Sequence, residues 1–302
     1  MSHGHHHTAG HAHRGRLVIV LAITGTVMVV EAVGGVLSGS VALLADAGHM
    51  LTDVGGLALA LVATSLAARP ATSVRTFGWQ RVEVLAAMVN AMVVAAVGIG
   101  VLVEGVRRLA DPQPVTATLM LAVALVGLVA NGVGLVLLRR GQAESLNIRG
   151  AYLEVLGDLL GSVAVVAAAL VIATTGFVRA DALASIVIGL LILPRAYALL
   201  RQVAWVLLEA APEGVDLDEV RRHLCEVPGV ISVHDLHAWT ITSGVPVLSA
   251  HVVVDSDVVT CGETPGILDA LHSCLRGHFD VDHCTFQLEP VGHADHEGHT
   301  HR

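Results

Sequence analysis

Lysine is absent from the chain, and all seventeen basic residues are arginine. Base composition can produce that bias, so no function is read into it. Charge of either sign is scarce: 14% of the 302 residues are charged, 54% are hydrophobic, and the mean hydropathy is +0.71. An ordinary soluble domain is excluded by such figures. No C-x-x-C pair occurs. The four cysteines, Cys225, Cys261, Cys274 and Cys284, are scattered, which argues against a zinc knot or redox motif and for reduced thiols in a cytoplasmic domain. His-Glu-x-x-His is also missing, and no general base pairs with an open metal position, so a membrane metalloenzyme is disfavoured. No small-residue cleavage site follows a short apolar run near the amino terminus, and no cleaved signal peptide is expected.

What charge there is lies unevenly. Residues 1–208 hold ten acids and thirteen arginines, whereas residues 209–290 hold fourteen acids and three arginines. The break near Glu209 divides an apolar, slightly basic part from a polar, acidic one. Four segments follow: a His-rich cytoplasmic tail at 1–16, a transmembrane domain at 17–208, a cytoplasmic α+β domain at 209–290, and a second His-rich tail at 291–302.

Apolar stretches long enough to cross a bilayer run at about Leu17–Leu37, Val41–Ala67, Val82–Val106, Val115–Leu138, Ile148–Thr174 and Ala180–Leu200. Lipid offers the backbone no hydrogen-bond partners, so all six are expected to be helical. Six spans put both termini on one side. Arg14, Arg16, Arg69, Arg75, Arg81, Arg139, Arg140, Arg149 and Arg201 flank one set of ends, against Arg107, Arg108 and Arg179 at the other. Positive charge favours the cytoplasmic side, which puts both termini and the acidic domain there. An inner (plasma) membrane location is expected. The three-residue link Ser38-Gly39-Ser40 requires a tight outer hairpin between the first two spans.

Ionisable groups inside spans are functional candidates by default. In the second span His49 and Asp53 are spaced i, i+4 and share a helix face, with Asp46 three residues before His49 on the same stripe. In the fifth span Glu154 and Asp158 repeat the i, i+4 spacing. Two such faces turned together supply one imidazole and three carboxylates, a set suited to a divalent first-row metal. The competing reading is polar glue between helices, and two matched pairs make that less economical than one would. Asp46 reads better as an acceptor that orients His49 than as a ligand. Glu31, Glu83, Asn90, Glu104, Asn131 and Asp181 read as inter-helix hydrogen-bonding or water-pathway groups.

Beyond Asp216 the pattern is that of a small α+β module. Leu217–Val227 reads as a helix, Val233–Ile241 and Val247–Asp255 as strands about a turn at Gly244, Glu263–Phe279 as a helix and Cys284–Glu289 as a third strand. His3, His5, His6, His7, His11 and His13 near one end, and His293, His296, His299 and His301 near the other, suggest weak, flexible metal binding or a dispensable tail.

The run from Gly34 to Asp53, the segments Arg75-Thr76-Phe77-Gly78 and Arg81–Ala87 with Asn90, and His234-Asp235-Leu236-His237-Ala238-Trp239 together resemble the cation diffusion facilitator family in its zinc-transporter branch. That resemblance implies a homodimeric metal/proton antiporter. It has six membrane helices and a cytoplasmic α+β domain of metallochaperone-like (ferredoxin-like) shape. The family's His-x-x-x-Asp pair on the second span matches His49 and Asp53. Its second pair matches Glu154 and Asp158, with Glu154 replacing the usual histidine. Oxygen for nitrogen makes the site harder and one charge more negative, which gives cobalt, cadmium, iron and manganese weight beside zinc. Gln80 stands where relatives often have histidine, so a metal site on that loop is not expected. His234, His251 and Glu289 match metal-binding positions of the family's cytoplasmic domain, with His237, His272 and His283 weaker candidates.

The function expected is therefore efflux of a divalent metal, zinc first, in exchange for protons. Close carboxylates repel one another in an empty site, and protons relieve that repulsion until metal expels them. Metal enters as cargo and as regulatory ligand, with no prosthetic group. The other partners are a second copy of the chain and the lipid membrane, not nucleic acid. A membrane metal sensor that transports nothing is the other alternative.

Overall fold

The computed structural model describes residues 6–139, 146–256, 262–279, 281 and 283–293, with backbone only at 6–18, 146–148 and 277–278. His3, His5, His296, His299, His301 and Cys261 lie outside the described residues, as do the side chains of His6, His7, His11 and His13. Two compact units form, one from residues 1–61 and 87–200, the other from residues 62–86 and 201–302.

Six long helices carry the apolar sequence: α1 His6–Ser38, α2 Val41–Ala67, α3 Val82–Ala110, α4 Ala117–Arg139, α5 Leu146–Thr175 and α6 Arg179–Leu207. Each contains a window long and apolar enough to cross a membrane, with mean hydropathy between 1.7 and 2.5. The chain is a multi-pass membrane protein. Helix α1 begins at His6, inside the segment expected to be a tail, and α6 runs to Leu207, past the expected end at Leu200. Both differences have one cause. A nucleated helix extends into its flanks at little cost, and hydropathy marks the lipid-crossing part rather than the helix.

Within the first unit the helices meet through small residues. A methyl group added at Gly34 of α1 would come within 2.6 Å of Val123 of α4, and one at Gly189 of α6 within 2.9 Å of Leu102 of α3. Such contacts let backbones approach closely where lipid removes the usual hydrophobic drive between helices. The buried core gathers Ala42, Leu43 and Ala45 of α2, Met120 and Ala124 of α4, Val165 and Ala169 of α5, and Ile188 and Ile192 of α6. Large apolar side chains such as Val36, Leu61 and Val136 point outward, as a lipid-facing surface requires.

Gly39 turns the α1–α2 hairpin with φ +73, a left-handed value that glycine adopts without penalty. The first backbone N–H groups of α2 have no partner within their own helix. Asp181 of α6 supplies one. Its Oδ2 accepts from the Val41 N–H at 2.9 Å, and its Oδ1 accepts from the Ala42 N–H at 3.2 Å and from the Ser40 hydroxyl at 2.5 Å. Asn131 of α4 donates to the Ser162 hydroxyl of α5 at 3.1 Å. Both therefore act as the inter-helix hydrogen-bonding groups expected of them.

The second unit contains helix α7 Leu217–Cys225, strands β1 Val230–Thr240 and β2 Pro246–Val254, helix α8 Thr264–His278 and strand β3 His283–Pro290. Asp216 caps α7 by accepting from the Asp218 and Glu219 N–H groups. The sheet order is β1-β2-β3, antiparallel between the first two strands and parallel between the last two. Ala238, Leu248, Ala250, Val252 and Val254 form a core with Val220 and Leu224 of α7 and Ile267, Leu271 and Leu275 of α8. Alternation along β2 then sends Ser249, His251 and Val253 to the face away from that core. The α+β domain is thus the small three-stranded module expected.

Candidate metal centre

Helical geometry puts residues i and i+4 one above the other, so His49 and Asp53 present their side chains from one face of α2. The His49 Nε2 lies 3.6 Å from Asp53 Oδ2 and 3.8 Å from Asp158 Oδ1 of α5. One ligand atom from each of the three residues falls within 4.8 Å of the other two. No hydrogen bond reaches Asp53 Oδ2 or Asp158 Oδ1, although both are buried. Buried carboxylate oxygens without partners are costly. A divalent cation of first-row size, taking nitrogen and oxygen ligands at about 2 Å, answers that cost directly.

Glu154 stands differently from its expected place. It lies outside the group of three and instead accepts from Arg195 of α6, with Nη2 to Oε1 2.9 Å. The same guanidinium reaches Asp53 Oδ1 through Nη1 at 3.2 Å. Asp53 therefore offers one oxygen to Arg195 and turns the other towards His49 and Asp158. Sequence reasoning assigned Arg195 no part in this site. The available signal was an arginine immediately after Pro194 within a span, but periodicity does not say which neighbour that part of α6 faces.

Asp46 is buried and packs at Gly161 of α5, where an added methyl would meet Asp46 Oδ1 at 2.9 Å. Asp46 Oδ2 and His49 Nδ1 both lack hydrogen-bond partners, so the orienting bond expected between these two residues is not formed. Glu31 of α1 is buried with neither carboxylate oxygen hydrogen-bonded. Glu104 of α3 pairs with Arg108, which also donates to the Gly39 carbonyl. Glu83 accepts from the Thr242 hydroxyl at 2.8 Å, and Asn90 packs tightly against Gly56.

A second cluster occupies the sheet face away from α7 and α8. His234 of β1 and His251 of β2 are directly paired across the antiparallel ladder, their ring centroids 5.2 Å apart. In the parallel ladder His251 pairs with Gln287, which puts Glu289 of β3 diagonally next to it. Glu289 Oε2 lies 3.1 Å from His234 Nε2, and Oε1 lies 2.8 Å from His251 Nδ1. Gln287 donates to the same Oε1 at 2.8 Å. Glu289 is 1% exposed, so its carboxylate depends on these partners. A bulge follows His234, with Asp235 at φ 43 and its carboxylate 3.6 Å from His234 Nδ1. Two imidazoles and a carboxylate in this arrangement can hold a metal ion. His237 pairs with Ser249 beyond the bulge, His272 Nδ1 bonds the Leu268 carbonyl, and His283 stacks edge-on to Phe77; none joins the cluster.

Comparisons with known proteins cover nearly the whole chain. Residues 17–208 match the cation efflux transmembrane domain, and residues 212–291 match the cytoplasmic domain of cation efflux proteins. The chain is 45% identical to the metal cation efflux system protein CzcD of Cupriavidus metallidurans, over 97% of this chain and 92% of that one. It is 42% identical to the zinc transporter ZitB of Escherichia coli, over 96% and 93% of the two chains. Against the cadmium, cobalt and zinc/H(+)-K(+) antiporter of Bacillus subtilis the identity is 39%, over 96% and 93%. With membrane and cytoplasmic halves both matched in order, the chain belongs to the cation efflux family, whose members are transporters and not enzymes.

Proposed function

We infer that this protein exports divalent metal cations, zinc first, from the cytoplasm in exchange for protons. The observation that carries the reading is the meeting of His49, Asp53 and Asp158 within 4.8 Å, with two carboxylate oxygens left without hydrogen bonds. Cargo metal takes that position as substrate. The names of relatives support it: one is a metal cation efflux protein, one a zinc transporter, and one an antiporter for cadmium, cobalt and zinc. Cadmium and cobalt are therefore the alternative cargoes to test first.

Exchange for protons follows from charge. Asp53, Asp158 and Glu154 carry like charges in one region, and an ion of charge +2 competes there with protons. The membrane is the cell's inner (plasma) membrane, and the arginine bias at the span ends supports a cytoplasmic position for both termini. The chain works as a homodimer through its cytoplasmic domain. His234, His251 and Glu289 form a regulatory metal site in that domain, with no part in carrying cargo across. The histidines of residues 1–16 and 291–302 gather metal near the pathway.

The test is uptake of zinc, cadmium and cobalt into proteoliposomes holding the purified protein, with and without an imposed pH gradient. Zinc movement accelerated by the gradient is expected. Zinc movement indifferent to the gradient would overturn the proton exchange, and no movement of any of the three metals would overturn the transport reading.

A further inference from the structure

Arginine within a membrane span is costly unless a carboxylate meets it. Arg195 meets two, Glu154 at 2.9 Å and Asp53 at 3.2 Å. Its planar fork is built for such a bridge, which a lysine point charge does not reproduce. Two consequences follow from where the contacts fall. Glu154 is held outside the group whose ligand atoms lie within 4.8 Å of each other. Asp53 has Oδ1 fixed by the guanidinium, and Oδ2 is thereby aimed at His49.

We propose that Arg195 sets how many ligands the cargo meets: by holding Glu154 aside, it leaves the ion on His49, Asp53 and Asp158 with one coordination position open. This rests on the transport reading above. Charge agrees with it. Among the groups joined by the ion pairs of the site, three carboxylates against one guanidinium leave two net negative charges to face a cation of charge +2. A glutamate in the fifth span thus adds no net charge to the site as long as Arg195 accompanies it, and the harder, more negative site expected from the sequence is not realised. The exposures fall in the order that such a role requires. Arg195 is 53% exposed, Glu154 36%, Asp53 12% and Asp158 2%, so the guanidinium lies at the open margin and the most buried ligand is not among its ion-pair partners. A site with three protein ligands and an open position exchanges its ion more readily than a closed one with four. Transport needs that exchange twice per cycle. Arg195 is a positioning residue in this scheme, because it touches the ligands and not the cargo.

The experiment is zinc uptake by the full-length protein in proteoliposomes, with apparent KM and maximal rate measured separately. In Arg195→Ala, Glu154 is free to become a fourth ligand. The KM for zinc is expected to fall on the order of tenfold, the low end of what groups surrounding a metal site govern, and the maximal rate is expected to fall with it as release slows. A merely structural loss lowers the maximal rate without tightening KM. Arg195→Lys is expected to lie between the parent and Arg195→Ala, and it serves the same comparison if the alanine variant does not assemble. Glu154→Gln completes a double-variant cycle. Its effect on KM should be larger in the absence of Arg195 than in its presence, since only then does Glu154 touch the metal. An unchanged or raised KM in both arginine variants would overturn the proposal, as would equal effects of Glu154→Gln with and without Arg195. A parent protein that moves none of the metals would remove the transport reading and this inference together. Transport by the parent with no change of KM would remove the inference alone.

Discussion

In the proposed site Asp53 and Asp158 each give one oxygen to the cargo, and Glu154, the other carboxylate at hand, is tied to Arg195. Asp53→Ala and Asp158→Ala are therefore each expected to abolish zinc transport. Asp158, at 2% exposure, is the most buried member of the group, below His49 at 13% and Asp53 at 12%. Size-exclusion elution at the parental position would show the assembly intact. Full zinc flux in either variant would sink the assignment. His49 and Asp53 were legible from spacing, because i, i+4 on a helix fixes a shared face whatever the surroundings. Arg195 was not. Its partner Glu154 is 41 residues away in the chain, and nothing in a single-helix pattern states which helices adjoin. Asp46 and His49 illustrate the reverse error. They share a stripe on α2, yet packing at Gly161 takes Asp46 to α5.

Among the elements, the start of α2 depends on a residue 140 positions later in the chain. Loss of the Asp181 carboxylate leaves two N–H groups and the Ser40 hydroxyl without their acceptor in a buried setting. Asp181→Ala should cost about 1–2 kcal/mol, the upper range for losing a helix cap, and lower the thermal unfolding midpoint of the detergent-solubilised protein. An unaltered midpoint would show that the cap contributes nothing. At Gly34 the constraint is space rather than charge. Gly34→Leu should force α1 from α4 and cost about 1–3 kcal/mol by overpacking, seen in the same melting experiment; an equal or higher midpoint would show the contact to be loose. The six spans themselves were readable from hydropathy because every buried backbone group in lipid must be paired within its own helix. Their ends were less so. Hydropathy fades at Leu17 and Leu200, whereas the hydrogen-bond ladder runs on to His6 and Leu207.

For the whole molecule, the distribution of charge matters more than any single group. Residues 209–290 hold fourteen acids against three arginines, a net formal charge of −11. Two such domains in a dimer repel, with salt screening the effect beyond about 8 Å at physiological ionic strength. Metal held at the proposed site of His234, His251 and Glu289 would add positive charge and favour a closer pair. It does so only by its greater affinity for the closed form. His234→Ala combined with His251→Ala is expected to weaken stimulation at low zinc while leaving flux at high zinc. Distances between spin labels on the two domains should shorten on zinc addition in the parent and not in the double variant. A parent that shows no shortening would end the sensor role and leave the membrane site as it stands. The strands carrying these residues were legible from alternation. The bulge after His234, with Asp235 at φ 43, was not, because a one-residue insertion in a ladder is specified by the partner strand.

The Asp181 anchor also has a mechanical meaning. It pins the start of α2 to the start of α6, so the two helices are arms of one pair of tongs, and Asp53 and Arg195 are its tips. Asp53 is twelve residues from Val41 and Arg195 fourteen from Asp181, which at 1.5 Å per residue makes arms of about 18 and 21 Å. Arms so nearly equal turn a small rotation at the hinge into separation of the tips with little sliding. A tilt of about 10° would part them by roughly 3 Å, enough to break a contact of 3.2 Å. A rotation about the Asp181 anchor would therefore act on the Asp53–Arg195 bridge at the far ends of the two arms before it reached the hydrogen bonds at the anchor itself.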